Sequence, residues 1–233
     1  KMLSRLDDAF TAQKQFSANA AHELRTPLAV IQTNLEVFAR RETPALKDYQ
    51  EIFSMLQEQT GRLSHLAEIL LDMTGVQTVE RSERISLAAL TDEVFCDLAS
   101  VAEQKDVELI QQEGDCIITG SYLLLYRAVY NLVENAIKYN HSGGKVTVNI
   151  HPSEEITDTS TSVNYVFLEV SDTGIGIPPE YQEKIFTPFF RVDKSRSRAM
   201  GGAGLGLALV SEIVRQHNGQ VKVLESSKKG SIF

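Results

Sequence analysis

The sequence contains no tryptophan and only two cysteines, Cys96 and Cys116, among its 233 residues. The two thiols lack the spacing of a metal site, and two are too few for the disulfide framework of a small secreted domain. We therefore expect both cysteines to be structural and the protein to work in a reduced, cytosolic setting.

Long apolar runs and an excess of basic charge are also missing. No run approaches the roughly 20 apolar residues that span a bilayer, and no signal peptide is visible, so no membrane contact is expected within this fragment. The net charge of −8 argues against nucleic acid as the main partner. The chain opens in mid-helix and stops in a strand-like pattern at Ile232 and Phe233, and we interpret both ends as cuts in a longer protein.

Hydrophobic residues make up 42% of the chain, enough to bury cores in one large or two small domains. Near the N-terminus they recur at steps of three and four, the pattern of a helix with a seam against partner helices. We predict this helix from Lys1 to Arg41. The seam positions are Leu3, Leu6, Phe10, Ala20, Leu24, Ile31, Leu35 and Phe38.

His22 falls on the outer face of this predicted helix, because the seam passes to either side of it. Glu23 adjoins it, and Thr26 lies one turn further along on the same face. An exposed imidazole beside a carboxylate is an accessible nucleophile next to a base, although a lone exposed histidine is more often only solvated. Pro27 donates no hydrogen bond and is predicted to weaken the helix beside His22.

A turn at residues 42–44 leads into a second predicted helix, with Thr43 as its cap, Pro44 at its first position and its end near Gly75. One helical hairpin cannot bury two long apolar stripes, whereas two hairpins can do so as a four-helix bundle. We favour a homodimer, and the alternative is a stalk packed on the next domain. The second stripe comprises Ile52, Leu56, Leu63, Leu66, Leu70 and Met73.

The predicted domains are the helical hairpin of residues 1–76, a polar linker at residues 77–84, and a mixed α/β domain over residues 85–233. The predicted strands of the last domain are residues 85–87, 107–110, 116–119, 145–150, 165–170 and 220–224. Its predicted helices are one marked by Leu90, Val94, Leu98 and Val101, and those at residues 121–140, 179–185 and 205–217. Residues 153–162 are interpreted as a hairpin excursion and residues 186–203 as an irregular basic segment.

Three polar residues share one face of the predicted helix over residues 121–140, because Asn131, Asn135 and Lys138 are spaced i, i+4 and i+7. Tyr139 adjoins this face. An amide oxygen is a hard ligand for Mg²⁺, and a lysine can meet phosphate charge, so the face suits a metal-bound triphosphate. A merely solvated polar face is the alternative.

Two glycine-rich segments follow. Asp172 comes after a predicted buried strand, where it can accept a hydrogen bond from an exocyclic amine, and Gly174 and Gly176 let the backbone approach a ligand closely. Residues 201–207 open a predicted helix, whose free N–H groups and dipole face any anion placed there. An ordinary turn and a flexible loop are the respective alternatives.

Taken together, the segments are specific. His-Glu-Leu-Arg-Thr-Pro-Leu at residues 22–28 resembles the phosphoacceptor box of sensor histidine kinases of two-component systems. Residues 131–139, 172–178, 186–191 and 201–207 resemble the N, G1, F and G2 boxes of the ATPase domain of that family, in the right order. The resemblance implies a Bergerat-type α/β sandwich that holds ATP under a mobile lid. It also implies the cytoplasmic portion of a sensor anchored in the inner or cell membrane.

The resemblance further implies individual roles. Asn135 would hold Mg²⁺, Asp172 would accept from the adenine amine, and Lys138 would touch the phosphates. The basic run of Lys194, Arg196 and Arg198 either meets phosphate charge or is only solvated. The positions implied to support or line the nucleotide site are Asn131, Tyr139, Gly174, Gly176, Arg191, Gly202, Gly204 and Gly206.

The expected activity is ATP-dependent autophosphorylation on His22, with Glu23 as general base. Transfer to an aspartate of a response regulator receiver domain would follow, and Thr26 would position a water for dephosphorylating that regulator. An ATPase machine of the gyrase, Hsp90 or MutL kind is the first alternative, but it needs a glutamate base where this chain has Asn131. A nucleotide-binding scaffold is the second, and an intact pair of His22 and Glu23 counts against it.

Overall fold

The structure is a computed structural model that describes residues 2–76, 79–153, 165–192 and 203–233, apart from the side chains of residues 2–9 and 12. The chain divides into two compact units, residues 1–74 with 194–203 and residues 75–193 with 204–233. In the described residues, no helix is long and apolar enough to cross a membrane.

The first unit is a helical hairpin, as predicted. Helix α1 spans Met2–Ala39 and helix α2 spans Leu46–Gly75. Where the helices meet the connection, the rings of Phe38 and Tyr49 pack edge to face with their centroids 5.1 Å apart. Helix α1 continues through Pro27, so the predicted weak point beside His22 does not interrupt the helix.

The predicted cap of α2 is wrong. The helix begins at Leu46, and the side chain that bonds its start is that of Asp48, which accepts a hydrogen bond from the Ala45 N–H at 2.8 Å. That bond, together with the ion pair to Arg41, holds the pKa of the Asp48 carboxyl below its usual value. Thr43 and Pro44 therefore belong to the turn and not to the helix.

Large apolar side chains remain exposed along the hairpin. Leu35 on α1 is 42% exposed and Phe53 on α2 is 63% exposed, whereas the burial of Leu66 and Ile69 is nearly complete. Other exposed apolar side chains of the hairpin are Phe10, Leu28, Val37, Leu46 and Leu71. This amount of uncovered apolar surface on a single hairpin is typical of a surface that another chain covers.

The second unit is a mixed α/β fold, and its described residues form two sheets. Strands β1 (Glu83–Ser86) and β3 (Ile117–Gly120) pair antiparallel. The larger sheet has the order β2–β4–β5–β7–β6, in which only β2 and β4 are parallel. Its strands are β2 (Val107–Gln111), β4 (Gly144–Pro152), β5 (Val166–Asp172), β6 (Glu225–Ser227) and β7 (Gly230–Ile232).

Helices cover one face of this sheet. Helix α3 (Leu87–Gln104) packs on β2 and β4, helix α4 (Tyr122–Lys138) packs on β4 and β5, and helix α5 (Gly206–Gln216) packs on α4. Burial alternates along β4, which places Val146, Val148 and Ile150 toward the helices. Each such side chain contributes roughly 1.5–3 kcal/mol when it leaves water.

His217 ties α5 to α4. Its Nδ1 lies 2.8 Å from the Ile213 carbonyl, and its Nε2 accepts a hydrogen bond from the Ser121 N–H at 3.1 Å. Because Ser121 is the N-cap of α4, this link fixes the start of α4 against the end of α5. The far ends of the same two helices, described below, form the candidate site.

Several predicted elements have different bounds in the structure. Leu87 begins α3, because Ser86 caps it by accepting a hydrogen bond from the Ala89 N–H. Val101 is 43% exposed, and Ala102 takes the buried position. The helix predicted at residues 179–185 is instead two 3₁₀ turns, Pro179–Tyr181 and Lys184–Phe186.

The strand predicted at residues 220–224 is also wrong, because β6 lies at Glu225–Ser227. Most of the predicted excursion at residues 153–162 falls outside the described residues, as does most of the basic segment after Val192. Strand β5 extends to Asp172, so this carboxylate is part of the sheet and not of the following turn.

Candidate active site: a phosphoacceptor helix and a nucleotide pocket

His22 lies in the middle of α1 and is exposed, as the helical spacing predicts. Glu23, the next residue, is partly buried, and Thr26 is exposed on the His22 side one turn on. The Thr26 hydroxyl donates to the His22 carbonyl at 3.2 Å. The Thr26 hydroxyl proton is thus used in a hydrogen bond within the helix. The hydroxyl oxygen still has lone pairs that accept a hydrogen bond from a water or a ligand.

The predicted polar face of α4 is present, with both asparagine side chains fixed by their own helix. Asn131 Nδ2 donates to the Arg127 carbonyl and Asn135 Nδ2 donates to the Asn131 carbonyl, each at 2.8 Å. Since each amide nitrogen is bound to the helix, each amide oxygen is the group left to meet a metal ion or another element.

The start of α5 lies directly against these amides. A Cβ added at Gly206 would come within 2.4 Å of Asn131 Oδ1 and 3.7 Å of Asn135 Nδ2. Only glycine fits such an approach. Leu205, the N-cap of α5, makes no side-chain cap bond. The first N–H groups of a helix are suited to bind an anion, and those of α5 lie beside the α4 amides.

Lys138 and Tyr139 end α4 near this contact. The Lys138 ammonium lies 5.9 Å from the centroid of the Tyr139 ring, and the Lys138 carbonyl accepts a hydrogen bond from Lys105. The Tyr139 carbonyl accepts from the Ile175 N–H at 3.2 Å. The end of α4 is therefore bound to the glycine-rich turn that follows β5.

Asp172 is held by that turn. Its Oδ1 accepts from the Gly174 N–H at 2.7 Å. Burial raises the pKa of the Asp172 carboxyl, against the opposing effects of the Gly174 and Ser231 N–H groups and of the charge on His141. A half-buried carboxylate is suited to accept a hydrogen bond from an amine, because its two oxygens offer about four acceptor sites. Gly176 lies further along, against the Ser227 carbonyl.

The predicted F segment packs beside Gly204, which precedes α5. The Phe189 N–H donates to the Gly204 carbonyl at 2.8 Å, and the Phe190 ring lies 5.7 Å from that of Tyr181. Arg191 is partly buried at the end of this segment. Gly202 and the basic run of Lys194, Arg196 and Arg198 lie outside the described residues.

The structure thus brings together Asn131, Asn135, Gly206 and the α5 start on one side, and Tyr139, Gly174 and Asp172 on the other. In the described part of the chain, no group of three histidine, cysteine or acidic side chains is arranged to hold a metal ion by itself. The donor set still fits magnesium bound with a nucleotide, because Mg²⁺ takes one or two protein oxygens and completes its shell with phosphates and water.

Three residues that connect this site to the sheet were not predicted from the sequence: Asn140, Gly144 and Thr173. The turn-forming composition of residues 140–144, Asn-His-Ser-Gly-Gly, was the available signal. Nothing in the sequence indicates that Asn140 bonds a threonine far along the chain.

Comparison with known protein families identifies the family of this chain. Residues 12–78 match the family model of the His Kinase A phospho-acceptor domain. Residues 120–233 match the family model of the histidine kinase-, DNA gyrase B- and HSP90-like ATPases. The chain belongs to the sensor histidine kinases.

Curated relatives of this histidine kinase include sensor histidine kinase RppB of Synechocystis sp., 36% identical over 231 residues, which cover 97% of this chain and 49% of RppB. Signal transduction histidine-protein kinase ArlS of Staphylococcus aureus is 31% identical over 240 residues, covering 100% of this chain and 50% of ArlS. The chain therefore spans about half the length of the curated relatives it matches.

Solved histidine kinases have the same fold. The structure of AdeS from Acinetobacter baumannii matches with a TM-score of 0.69 and 25% identity, over 91% of this chain and 94% of that one. ThkA, solved in complex with response regulator protein TrrA, matches with a TM-score of 0.69 and 21% identity, over 100% of this chain and 65% of that one. The predicted fold class, a helical hairpin followed by an α/β ATPase fold, is confirmed.

Proposed function

We propose that this histidine kinase moves the γ-phosphoryl group of ATP to His22 and then to an aspartate of a response regulator receiver domain. The observation that carries the proposal is the contact of Gly206 with the amides of Asn131 and Asn135. It creates a site for phosphate and metal in the same chain as an exposed histidine beside a carboxylate.

At His22, one ring nitrogen forms a bond to the γ-phosphorus while the bond from that phosphorus to the bridging oxygen of ADP breaks. The proton on the other ring nitrogen passes to the Glu23 carboxylate. The product is a phosphohistidine with a neutral ring and a negatively charged phosphoryl group, and ADP leaves. His22 is exposed, so its ring nitrogens are accessible from solvent.

In the nucleotide pocket, Asp172 accepts the hydrogen bond of the adenine amine, and Tyr139, Gly174 and Gly176 line that end. Asn135 holds Mg²⁺, which neutralises charge on the phosphates when bound. Asn131 supports Asn135 through its carbonyl, to which Asn135 Nδ2 donates at 2.8 Å. The remaining groups assigned to the phosphate end are Lys138, Arg191, Gly202, Gly204 and the first N–H groups of α5, which begins at Gly206.

Incubation of the whole chain with γ-labelled ATP and Mg²⁺ tests this function. Transfer to histidine gives protein-bound label that is lost in acid and survives alkali. An ATPase machine of the gyrase or Hsp90 kind would release labelled phosphate and leave the protein unlabelled. A nucleotide-binding scaffold would do neither while still binding ATP.

The proposed partner in the second step is a receiver domain. ThkA was solved in complex with a response regulator, and in this chain the face of α1 beyond His22 carries exposed small and apolar side chains at Ala29, Val30 and Thr33. We further propose that the chain is the cytoplasmic portion of a membrane-anchored sensor, since its sensor kinase relatives are about twice as long.

The nucleotide contacts lead to a first prediction. Asn135→Ala should remove the Mg²⁺-dependent part of ATP affinity, because it deletes the proposed metal ligand. Asp172→Asn should weaken ATP binding by roughly 10- to 100-fold, the usual effect of removing a hydrogen bond to a buried charged group. Calorimetry with ATP, with and without Mg²⁺, measures both.

Asn34→Ala is the matched control for this prediction. Asn34 bonds the carbonyl of Val30 at 2.8 Å as Asn135 bonds that of Asn131, but it lies on α1 and is exposed. Its replacement should leave ATP affinity unchanged. Unaltered affinity in both the Asn135 and the Asp172 variants would show that ATP binds elsewhere.

Dimerisation through the hairpin is a second prediction. Leu35 lies on the predicted seam and is 42% exposed in the single chain. Leu35→Glu should convert a dimer into monomers at micromolar concentration, because a carboxylate buried without a partner is strongly unfavourable. Thr33→Glu, at an exposed position off the seam, should remain dimeric. Light scattering measures the oligomeric state, and a monomeric unmodified chain would contradict the predicted dimerisation.

A further inference from the structure

A closed set of hydrogen bonds joins three segments behind the adenine end of the pocket. Asn140 Oδ1 accepts from the Thr173 hydroxyl at 3.0 Å and from the His141 N–H at 3.0 Å. Asn140 Nδ2 donates to the Lys145 carbonyl at 2.9 Å. We call the side chains of Asn140 and Thr173, with the backbone of Lys145, the Asn–Thr cluster.

The Asn–Thr cluster satisfies its polar groups internally. Thr173 Oγ1 accepts from the Lys145 N–H at 2.8 Å while it donates to Asn140. The Thr173 N–H donates to the Lys145 carbonyl at 3.1 Å. Asn140 is only 6% exposed, whereas Thr173 is exposed. Loss of the Thr173 hydroxyl would leave Asn140 Oδ1 with the hydrogen bond from the His141 N–H.

The Asn–Thr cluster lies next to the residues that are proposed to bind the adenine base. Asn140 directly follows Tyr139, which ends α4, and Thr173 directly follows Asp172, which ends β5. Lys145 precedes the residue that pairs with Asp172 in the sheet, Val146. The cluster therefore fixes the Asp172–Thr173 peptide relative to the end of α4, and with it the base of the Asp172 side chain.

Gly144 leaves the room that the Asn–Thr cluster needs. A Cβ at Gly144 would come within 2.1 Å of Asn140 Oδ1 and 2.8 Å of the His141 carbonyl. The turn sequence of residues 140–144 is thus matched to the amide that it encloses. A side chain at this position would displace the same oxygen to which Thr173 donates.

We propose that Asn140 and Thr173 are positioning residues that set Asp172 for recognition of the adenine amine. This inference rests on the proposed function, since it concerns how the nucleotide base is selected. Neither residue touches the base. They act through the Asp172–Thr173 peptide, which their hydrogen bond holds against the end of α4. Asp172 Oδ1 is already bound to the Gly174 N–H. The position of the Asp172–Thr173 peptide then sets the orientation of the second oxygen of the Asp172 carboxylate.

The test compares ATP with the triphosphate of purine riboside, which lacks the exocyclic amine, by calorimetry on the whole chain. Thr173→Val keeps the shape and removes the hydroxyl. It should lower ATP affinity roughly tenfold, because a displaced Asp172 carboxylate loses its hydrogen bond to the adenine amine, and leave the affinity for the analogue unchanged. Thr173→Ser restores the hydroxyl and should restore ATP affinity. Thr119→Val, at an exposed position of β3, is the matched control.

The outcomes separate positioning from mere stabilisation. A residue needed only for folding would lower both affinities together, and that result, or an unchanged ATP affinity, overturns the proposal. Failure of the proposed function shows differently, because the unmodified chain would then bind no ATP or would fail to prefer ATP over the analogue. That result overturns both.

If Thr173→Val does not fold, amide exchange on the unmodified chain gives the answer. Coupling between base and cluster is reciprocal, so ATP should slow exchange of the His141 and Lys145 amides, which donate into the cluster. The purine riboside triphosphate, bound to the same occupancy, should slow them less. Equal slowing by both nucleotides overturns the proposal.

Discussion

Replacing His22 with glutamine should abolish acid-labile, alkali-stable labelling by γ-labelled ATP while ATP binding is retained. The amide nitrogen of glutamine has no lone pair available to attack phosphorus, so the phosphoryl group has no acceptor at this position. His22 is exposed on α1, whereas Asn135 and Asp172, which the proposal assigns to nucleotide binding, lie in the second unit. The expected loss is complete.

His65→Gln is the matched control, since His65 is also exposed and helical, on α2. It should label like the unmodified chain. Labelling is followed with time on gels after separate acid and alkali treatment, and calorimetry with ATP confirms that each variant binds nucleotide. Persistence of the acid-labile label at the unmodified level in His22→Gln would contradict the assignment of the acceptor.

The polar face of α4 could be predicted because helical spacing is a local property. The i, i+4, i+7 steps from Asn131 to Lys138 place the three side chains together wherever the helix goes. The spacing does not indicate which element packs against that face. The approach of Gly206 to Asn131 depends on how α5 packs on α4, a contact between residues far apart in sequence.

Element boundaries failed where a capping or pairing interaction overrode local propensity. Residues 220–224 alternate valine with polar residues, which favours a strand. The structure instead pairs Glu225–Ser227 with Gly230–Ile232 across a two-residue turn at Lys228 and Lys229. Glu-Ser-Ser has little intrinsic preference for a strand, so its partner strand decides the conformation.

The Asn–Thr cluster shows the same limit at the site itself. Asn140 and Thr173 are separated by two strands and their connection, and each on its own is an ordinary turn residue. Their hydrogen bond exists because β4 and β5 pair in the register that sets Val146 opposite Asp172. Register follows from the alternation of buried residues along the whole pair of strands, which local spacing around either residue does not contain.

Kinase and phosphatase activities are expected to separate at two neighbouring positions of α1. Glu23→Ala should slow autophosphorylation by roughly 10²–10⁴-fold, the usual contribution of a positioned general base. Without the carboxylate, the second imidazole proton has no adjacent acceptor as the bond to phosphorus forms. Glu36→Ala, which removes an exposed carboxylate elsewhere on α1, should have no such effect.

Thr26→Ala should behave in the opposite way, keeping most autophosphorylation and losing dephosphorylation of the regulator. The Thr26 hydroxyl already donates to the His22 carbonyl at 3.2 Å, so it meets a water only as an acceptor. A hydroxyl in that state orients the water without removing its proton, whereas the carboxylate of Glu23 takes a proton directly. Thr60→Ala, which removes an exposed hydroxyl that donates to the Leu56 carbonyl at 2.7 Å on α2, is the matched control.

Helix integrity has to be separated from chemistry in this comparison. Pro27 cannot supply the usual helical donor to the Glu23 carbonyl, and Thr26→Ala removes a hydrogen bond from the same turn. Circular dichroism must therefore show equal helix content in all four variants before rates are compared. The rates themselves are the labelling of His22 with time and the decay of phosphorylated regulator after each variant is added. If Thr26→Ala loses both activities equally at full helix content, the position matters for the geometry of α1, and the division between Glu23 and Thr26 is wrong.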